Sequence, residues 1–387
     1  MRIVDVCGFY SPKGGGVRTY IEQKLSVAEQ FGHDITILAP GDDDAVFERG
    51  PCARIETIAC PRFPLDRNYW YFSSESAVHA ALDRIAPDFV EASTPWRSAV
   101  MASAWRPEIP KSIVMHSEPL SAHVYRWVEG LVEPEEVDQR MWRFWDHLRK
   151  FGNSFDAVIC ANRFLEQRLK AGGVNNCVML PMGVQSDAFS PARRDEALRA
   201  QLLEMCDLPP DATLLLSAGR LATEKRLPML VEAVTQAGRH KPLGFVILGE
   251  GRTRKAILRA IGGNPHIRLL KPVRDRDQFA AILASADALL HGCEAETFGM
   301  AAAEARASGI QVIVPDEGGA ADFARDGWGI TYRSADLDDA VRAILELPEG
   351  REWLPDPVPH RTMEDHFRAL FALYEEIRRR PRTRQAA

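Results

Sequence analysis

The run Thr213-Leu214-Leu215-Leu216-Ser217-Ala218-Gly219-Arg220-Leu221-Ala222-Thr223-Glu224-Lys225-Arg226-Leu227-Pro228 decides the fold. The apolar stretch Thr213–Ser217 is too short for a helix and stops just before a glycine, as a fully buried strand does. A polar loop follows, and then a helical pattern over Arg226–Ala237. The same figure recurs downstream, with strands expected at Gly244–Leu248, His266–Leu270, Ala288–His291 and Gln311–Val314. Helices are expected between them at Thr253–Ile261, Asp277–Ala284 and Phe298–Ala307. Upstream, strands are expected near Arg2–Val6, Asp34–Leu38, Arg54–Ile58, Asp88–Glu91, Ser112–Met115, Asp156–Cys160 and Cys177–Leu180, with helices such as Val17–Phe31 and Ala77–Ile85. Strands alternating with helices indicate an α/β protein with parallel sheets. The stretch from Pro181 to Pro191, and the charged residues after it to Pro210, lose this periodicity and read as a linker. Two series imply two doubly wound domains with a ligand cleft where strand ends face each other. The expected division is 1–184, 185–360 and a C-terminal segment 361–387, whose helix near Met363–Arg379 crosses back to the first domain before a basic tail.

Composition narrows the function. The 387 residues carry 48 basic and 54 acidic side chains, a formal net charge of −6, which gives no reason to expect nucleic-acid binding. No stretch approaches the roughly 18 consecutive apolar residues of a spanning helix. Met1–Val6 runs directly into a strand pattern and carries Asp5 where a signal peptide would be apolar, so a cytoplasmic location is expected. The seven cysteines are scattered without a C-x-x-C pair and read as small buried hydrophobes kept reduced, not as a zinc site.

Three loop-to-helix junctions carry chemistry. Gly14-Gly15-Gly16 precedes the helix beginning at Val17, where unpaired N–H groups and the helix dipole favour an anion. The dinucleotide fingerprint fails there and no Walker loop exists, so a loop needing positive φ explains the glycines equally well. Arg220 and Lys225 flank the second junction, a planar fork and a point charge suited to a diphosphate. Glu296 and Glu304 belong to the third. On one continuous helix they would stand about 12 Å apart at about 1.5 Å of rise per residue. That exceeds the roughly 5–9.5 Å of paired glycosidase carboxylates, so contact with two parts of one elongated ligand is the better reading. Ala303 and Ala305 flank Glu304 and favour its burial. Asp42-Asp43-Asp44 and Asp275-Arg276-Asp277 superficially offer a D-x-D metal signature, which solvated charge and N-capping explain without a metal.

Gly14–Gly16, Gly219-Arg220 with Lys225, Gly249-Glu250-Gly251, and Glu296-Thr297-Phe298-Gly299 leading to Glu304 together resemble the family 4 glycosyltransferases of GT-B fold, retaining enzymes that use nucleotide sugars. Glu296 to Glu304 matches their E-x7-E pattern, and Pro181-Met182-Gly183-Val184 through Phe189 and Pro191 resembles their interdomain segment. The resemblance spans essentially the whole chain. It implies two Rossmann-like domains, the first for the acceptor and the second for the donor. It also implies roles: Gly15 and Gly16 amides near the donor diphosphate, Arg220 and Lys225 neutralising it in place of a metal, and Gly251 among the donor contacts. Glu296 would accept from the sugar hydroxyls beside the Phe298–Gly299 backbone, Glu304 would bind the ribose, and Val273 would lie near the base. His116 matches a histidine kept beside the sugar. Glu296, His116, Arg220 and Lys225 are thus the expected catalytic residues, with no metal and no cofactor beyond the donor substrate. Two positions depart from the family: Gln311 stands where proline is usual, and Asp322 where glutamate is common.

The expected reaction moves a hexosyl unit from a UDP- or GDP-sugar to a hydroxyl acceptor. Arg67–Phe72 and Met141–Lys150 mix cations with aromatics, which suits either a lipid headgroup region or core packing with snorkelling cations. The tail Arg378–Arg384 suits an electrostatic tether or a solvated end. The opening Asp5 to Tyr20 resembles bacterial glycolipid-forming members of the family. The acceptor is therefore expected to be a membrane lipid or glycolipid, with the enzyme peripheral on the cytoplasmic face of the inner membrane. A polysaccharide or small-molecule acceptor, and a non-catalytic two-domain sugar-binding protein, are the alternatives. The second would need an export signal that Met1–Val6 does not supply, and the presence of Arg220, Lys225, Glu296 and Glu304 argues for an enzyme.

Overall fold

A computed structural model describes residues 1–12, 16–64, 66–93, 95–116, 128, 132, 134–185, 188–348 and 360–380. The chain forms two compact units: Met1–Ala161 with Leu165–Pro181 and Met363–Ala387, and Asn162–Phe164 with Met182–Thr362. The divisions after Pro181 and after Thr362 lie a few residues from the 184 and 360 read from the sequence.

The first unit contains β1 (Arg2–Cys7), β2 (Asp34–Gly41), β3 (Ala45–Gly50), β4 (Ala53–Ala59), β5 (Phe89–Ser93), β6 (Lys111–Val114), β7 (Ala157–Cys160) and β8 (Cys177–Met179). They form one sheet in the order β3-β4-β2-β1-β5-β6-β7-β8. Every pairing is parallel except β3 with β4. Central strands such as β1 and β5 are buried on both faces, which is why they read as near-continuous apolar runs. The edge strand β3, Ala-Val-Phe-Glu-Arg-Gly, escapes a sequence reading because it is exposed, charged and interrupted by a register shift. Helix Met363–Arg379 returns to this unit. Its Met363, His366, Phe367, Leu370, Phe371, Tyr374 and Ile377 form a buried stripe at helical spacing. Tyr374 stacks on Phe89 with ring centroids 4.1 Å apart.

The second unit contains β9 (Thr213–Ala218), β10 (Leu243–Leu248), β11 (Ile267–Leu270), β12 (Ala288–Leu290), β13 (Gln311–Pro315) and β14 (Gly329–Tyr332). They lie in the order β11-β10-β9-β12-β13-β14, all parallel. The chain winds one way from β9 to β11 and the other way from β12 to β14, so the topological switch falls between β9 and β12. In a parallel sheet the loops after β10, β9, β12 and β13 emerge on one edge, and the crevice at the switch is where such sheets bind ligands. The stretch after Pro191, read as linker, contains helix Glu196–Met205. Asp195 caps it by accepting from the Ala197 and Leu198 amides at 2.9 and 3.0 Å, a short-range signal that the charged composition obscured.

Candidate active site

Gly219, Arg220, Lys225, His291 and Gly292 line a recess at this switch point in the second unit. The first three come from the loop after β9, the last two from the loop after β12. Glycine makes the close packing of these loops possible. Gly251 has φ of +158°, and a Cβ there would lie 2.2 Å from the Leu221 carbonyl oxygen. Gly318, at φ +76°, comes equally close to the Glu294 carbonyl and clamps the loop that carries Glu296. That loop ends at Gly299, from which helix Met300–Ala307 begins.

Lys225 Nζ donates to Glu296 Oε1 beside the recess. Burial disfavours the charged ammonium, but attraction to Glu296 outweighs it and holds the lysine above its ordinary pKa. Burial likewise pushes Glu296 up, and Lys225, His291 and Arg220 together bring it below the usual carboxylate range. At neutral pH the pair is an ammonium and a carboxylate. Arg220 is largely exposed, its guanidinium donating to Glu224 at 2.7 Å. Glu304 is buried on its helix, as its alanine flanks suggest, and accepts from Arg276 at 2.7 Å. Burial raises its pKa even against that partner. Val273 is half-buried in the segment between β11 and helix Arg276–Ser285. Phe298 turns its ring into the core, edge-on to Phe323 at 5.3 Å, so only its backbone is available to a ligand.

Two strong features of this unit were invisible in the sequence. Arg226, next in the chain to Lys225, makes a two-point ion pair with Glu294, at 2.9 and 2.7 Å. His291 is buried with Nε2 3.6 Å from Glu296 Oε1 and without a hydrogen-bond partner for that nitrogen. Burial and then the Lys225 charge lower its pKa to about 4, leaving it neutral. Neither motif spacing nor composition marks a partner 68 positions away. The only available signal was that Arg226, Glu294 and His291 adjoin residues already singled out.

In the first unit, Gly16 opens helix Gly16–Ser26, while Gly14 and Gly15 lie outside the described residues. His116 follows β6 and is half-buried, its ring edge-on to Tyr20 at 5.0 Å. Burial lowers its pKa to about 4, so the imidazole is neutral. The aspartate groups have hydrogen-bond partners of their own. Asp275 accepts from the Gln278 amide at 2.9 Å as an N-cap, and Asp42 accepts from Trp70 Nε1 at 2.8 Å and from Arg62 at 2.6 Å. Of the aromatic segments, Trp145, Leu148 and Phe151 are core, whereas Trp142 is 59% exposed with Arg143 against its ring. Among the described residues, no helix is long and apolar enough to cross a membrane. The tail beyond Arg380 lies outside the described residues.

Known proteins share this fold. Residues 14–188 match the family model described as Glycosyltransferase Family 4, and residues 205–357 the one described as Glycosyl transferases group 1. The chain is 29% identical over 355 residues to a GDP-mannose-dependent alpha-(1-6)-phosphatidylinositol dimannoside mannosyltransferase of Mycobacterium tuberculosis, covering 90% of this chain and 89% of that protein. It is 25% identical over 367 residues to a GDP-mannose-dependent alpha-mannosyltransferase of Corynebacterium glutamicum, covering 94% and 83%. Among solved structures it resembles a sucrose-phosphate synthase from Thermosynechococcus elongatus, with TM-score 0.69, 19% identity and coverage of 98% and 96%. It also resembles an alpha,alpha-trehalose-phosphate synthase from Burkholderia xenovorans, with TM-score 0.68, 14% identity and coverage of 97% and 100%. Two doubly wound parallel-sheet units with a cationic recess at a switch point define a GT-B protein. The chain belongs to family 4 of the glycosyltransferases and is an enzyme of that class.

Proposed function

We propose that the enzyme transfers a mannosyl unit from GDP-mannose, with retention at the anomeric carbon, to a hydroxyl of an inositol-phosphate glycolipid while attached peripherally to the cytoplasmic face of a membrane. Within the family assignment, one observation carries this reading. The Lys225–Glu296 pair stands at a recess at the strand ends, beside the exposed cation Arg220. Lys225 and Arg220 are suited to a diphosphate, and Glu296 to sugar hydroxyls. Similarity along nine-tenths of the chain to a relative named for GDP-mannose and a phosphatidylinositol glycolipid supports the choice of base, sugar and acceptor.

Cleavage of the anomeric C–O bond builds negative charge on the leaving diphosphate and oxocarbenium character on the sugar. Fixed cations stabilise the first without reorganising, an effect larger in a water-poor recess than in bulk solvent. In this reading Lys225 transfers its attraction from Glu296 to the diphosphate, and Arg220 leaves Glu224 to do the same. Glu296 is then free to accept from the sugar hydroxyls, and Glu304 accepts from the ribose. Gly251 gives backbone room near the phosphates and Val273 borders the base, while Gly15 and Gly16 carry only the role that the family resemblance implies. The family resemblance assigns His116, a neutral imidazole, to the sugar. The acceptor hydroxyl attacks on the face the diphosphate leaves, and its proton passes to the departing phosphate, so no protein nucleophile and no metal is invoked. The exposed Trp142–Arg143 pair suits a headgroup region. The test is incubation with a lipid extract and separate UDP-, GDP- and ADP-linked sugars in EDTA, with products identified by mass spectrometry. A hexosylated inositol phospholipid formed only from GDP-mannose is expected. Turnover confined to a UDP-sugar, or to a water-soluble acceptor, would overturn the assignment.

A further inference from the structure

His291, Cys293 and Glu296 each turn a metal-ligating atom toward one point, all of these atoms lying within 4.8 Å of one another. Two of the three residues are buried and the third is partly buried. His291 Nε2 has no hydrogen-bond partner although its residue is 4% exposed, and it already stands 3.6 Å from the Glu296 carboxylate. A buried imidazole nitrogen left unpaired costs free energy unless something takes its lone pair. The cation now resting among these groups is the Lys225 ammonium, bonded to Glu296.

We infer that the His291–Cys293–Glu296 cluster binds a thiophilic divalent cation of the Zn²⁺ class in place of the Lys225 ammonium, and that this metal excludes the nucleotide-sugar donor. Imidazole, thiolate and carboxylate are a zinc-type donor set, whereas Mg²⁺ and Ca²⁺ prefer oxygen alone. Metal–ligand distances of about 2.0–2.3 Å require ligand atoms somewhat closer together than they stand here, a contraction within the reach of side-chain rotation. Three protein ligands leave one tetrahedral position open toward the recess. Binding releases the Cys293 thiol proton to solvent and frees Lys225 from Glu296. The metal is thus an inhibitor and not a cofactor. The cysteines, read from the sequence as small buried hydrophobes and not as a zinc site, include one that the fold sets beside a histidine and a glutamate.

The exclusion of donor rests on the functional reading above, but the metal site does not, and the test separates them. Co²⁺ is titrated into the intact, donor-free protein, and the thiolate-to-cobalt absorption band is followed. The band is expected in the wild type, absent in Cys293→Ser, and displaced by Zn²⁺. Lys225→Met, which removes the competing charge, is expected to bind roughly tenfold tighter or better. A misfolded variant cannot mimic that gain. Absence of the band in the wild type, its persistence in Cys293→Ser, or unchanged affinity in Lys225→Met would overturn the site. A second titration adds GDP-mannose to the cobalt-loaded protein and is expected to abolish the band. A band that forms as expected but survives saturating donor would leave the metal site standing and overturn the exclusion.

Discussion

Each unit places a lysine against carboxylates, and the two clusters differ in what encloses them. In the first, Lys24 reaches from helix Gly16–Ser26 to Asp5 at 3.2 Å and to Glu91. These two carboxylates are direct partners across β1 and β5. Ser93 donates to Asp5 at 2.9 Å, and Tyr374 of the C-terminal helix donates to Glu91. Lys24, Asp5 and Glu91 are entirely buried. In the second, Lys225 and Glu296 come from loops at the strand ends, retain about a fifth of their side-chain exposure (20% and 23%), and adjoin a recess. A charge cluster between strands, sealed by a helix, can only hold elements together. One built from loops over an opening can exchange its partner for a ligand.

The sharpest way to break this contrast is to neutralise each lysine. Lys24→Met leaves two buried carboxylates side by side, and losing one partner of a buried network typically costs about 3–5 kcal/mol. Denaturant unfolding should report that loss, and a change below about 1 kcal/mol would show that the cluster does not hold the unit together. Lys225→Ala should behave in the opposite way. Its stability should move little, since Glu296 remains partly solvated, while kcat falls by about 10²–10³ at nearly unchanged donor affinity. Steady-state kinetics giving near-normal turnover would remove Lys225 from the reaction.

Acid sharpens the comparison further. His116 in the first unit and His291 in the second both have folded pKa values lowered to about 4, against about 6.5 for an ordinary histidine. The unfolded chain therefore takes up protons first, and stability falls as pH drops from about 6.5 toward 4, by about 3 kcal/mol for each histidine. Glu91 has the opposite sign. Burial and Asp5 push it up to about 7, so the folded state holds its proton where the unfolded state does not, and stability falls as pH rises through that window. Glu91→Gln removes the opposing trend, and its unfolding free energy should decline more steeply between pH 6.5 and 4 than that of the wild type. Parallel slopes would mean that Glu91 titrates normally in the native state.

The same contrast explains what the sequence could and could not reveal. Parallel strands buried on both faces announce themselves, as do the helix of Met363–Arg379 and the junctions at Gly219 and Gly299, because each signal is local. Strand β3 failed because an exposed edge strand needs no apolar run, and Glu196–Met205 because its charges hid the Asp195 cap. The residue types of the recess were legible, since Arg220, Lys225, Glu296 and Glu304 sit at strand-to-helix junctions. Their partners were not. Arg226 with Glu294, Arg276 with Glu304 and Lys24 with Glu91 are pairings set by strand order, which individual residues do not encode. His291, between an apolar strand and a glycine, gave no sign that its ring would be left with an unpaired nitrogen.

The smallest expected effect belongs to Arg220. Its guanidinium side chain is 73% exposed and, among the described residues, is tied to Glu224, an arrangement that solvent screens heavily. Arg220→Gln should therefore leave stability unchanged and raise the donor KM by about tenfold or less, the worth of roughly one charge-assisted contact in a wet site. Because the charge faces solvent, raising the salt concentration should narrow the gap between variant and wild type, whereas the Lys225→Ala defect, set in a partly enclosed pair, should persist. Donor-saturation curves at low and high salt for both variants measure this directly. If the Arg220 defect proved as large and as salt-independent as that of Lys225, the two cations would have to be treated as one enclosed clamp on the diphosphate, with Arg220 drawn inward from Glu224 when the donor arrives.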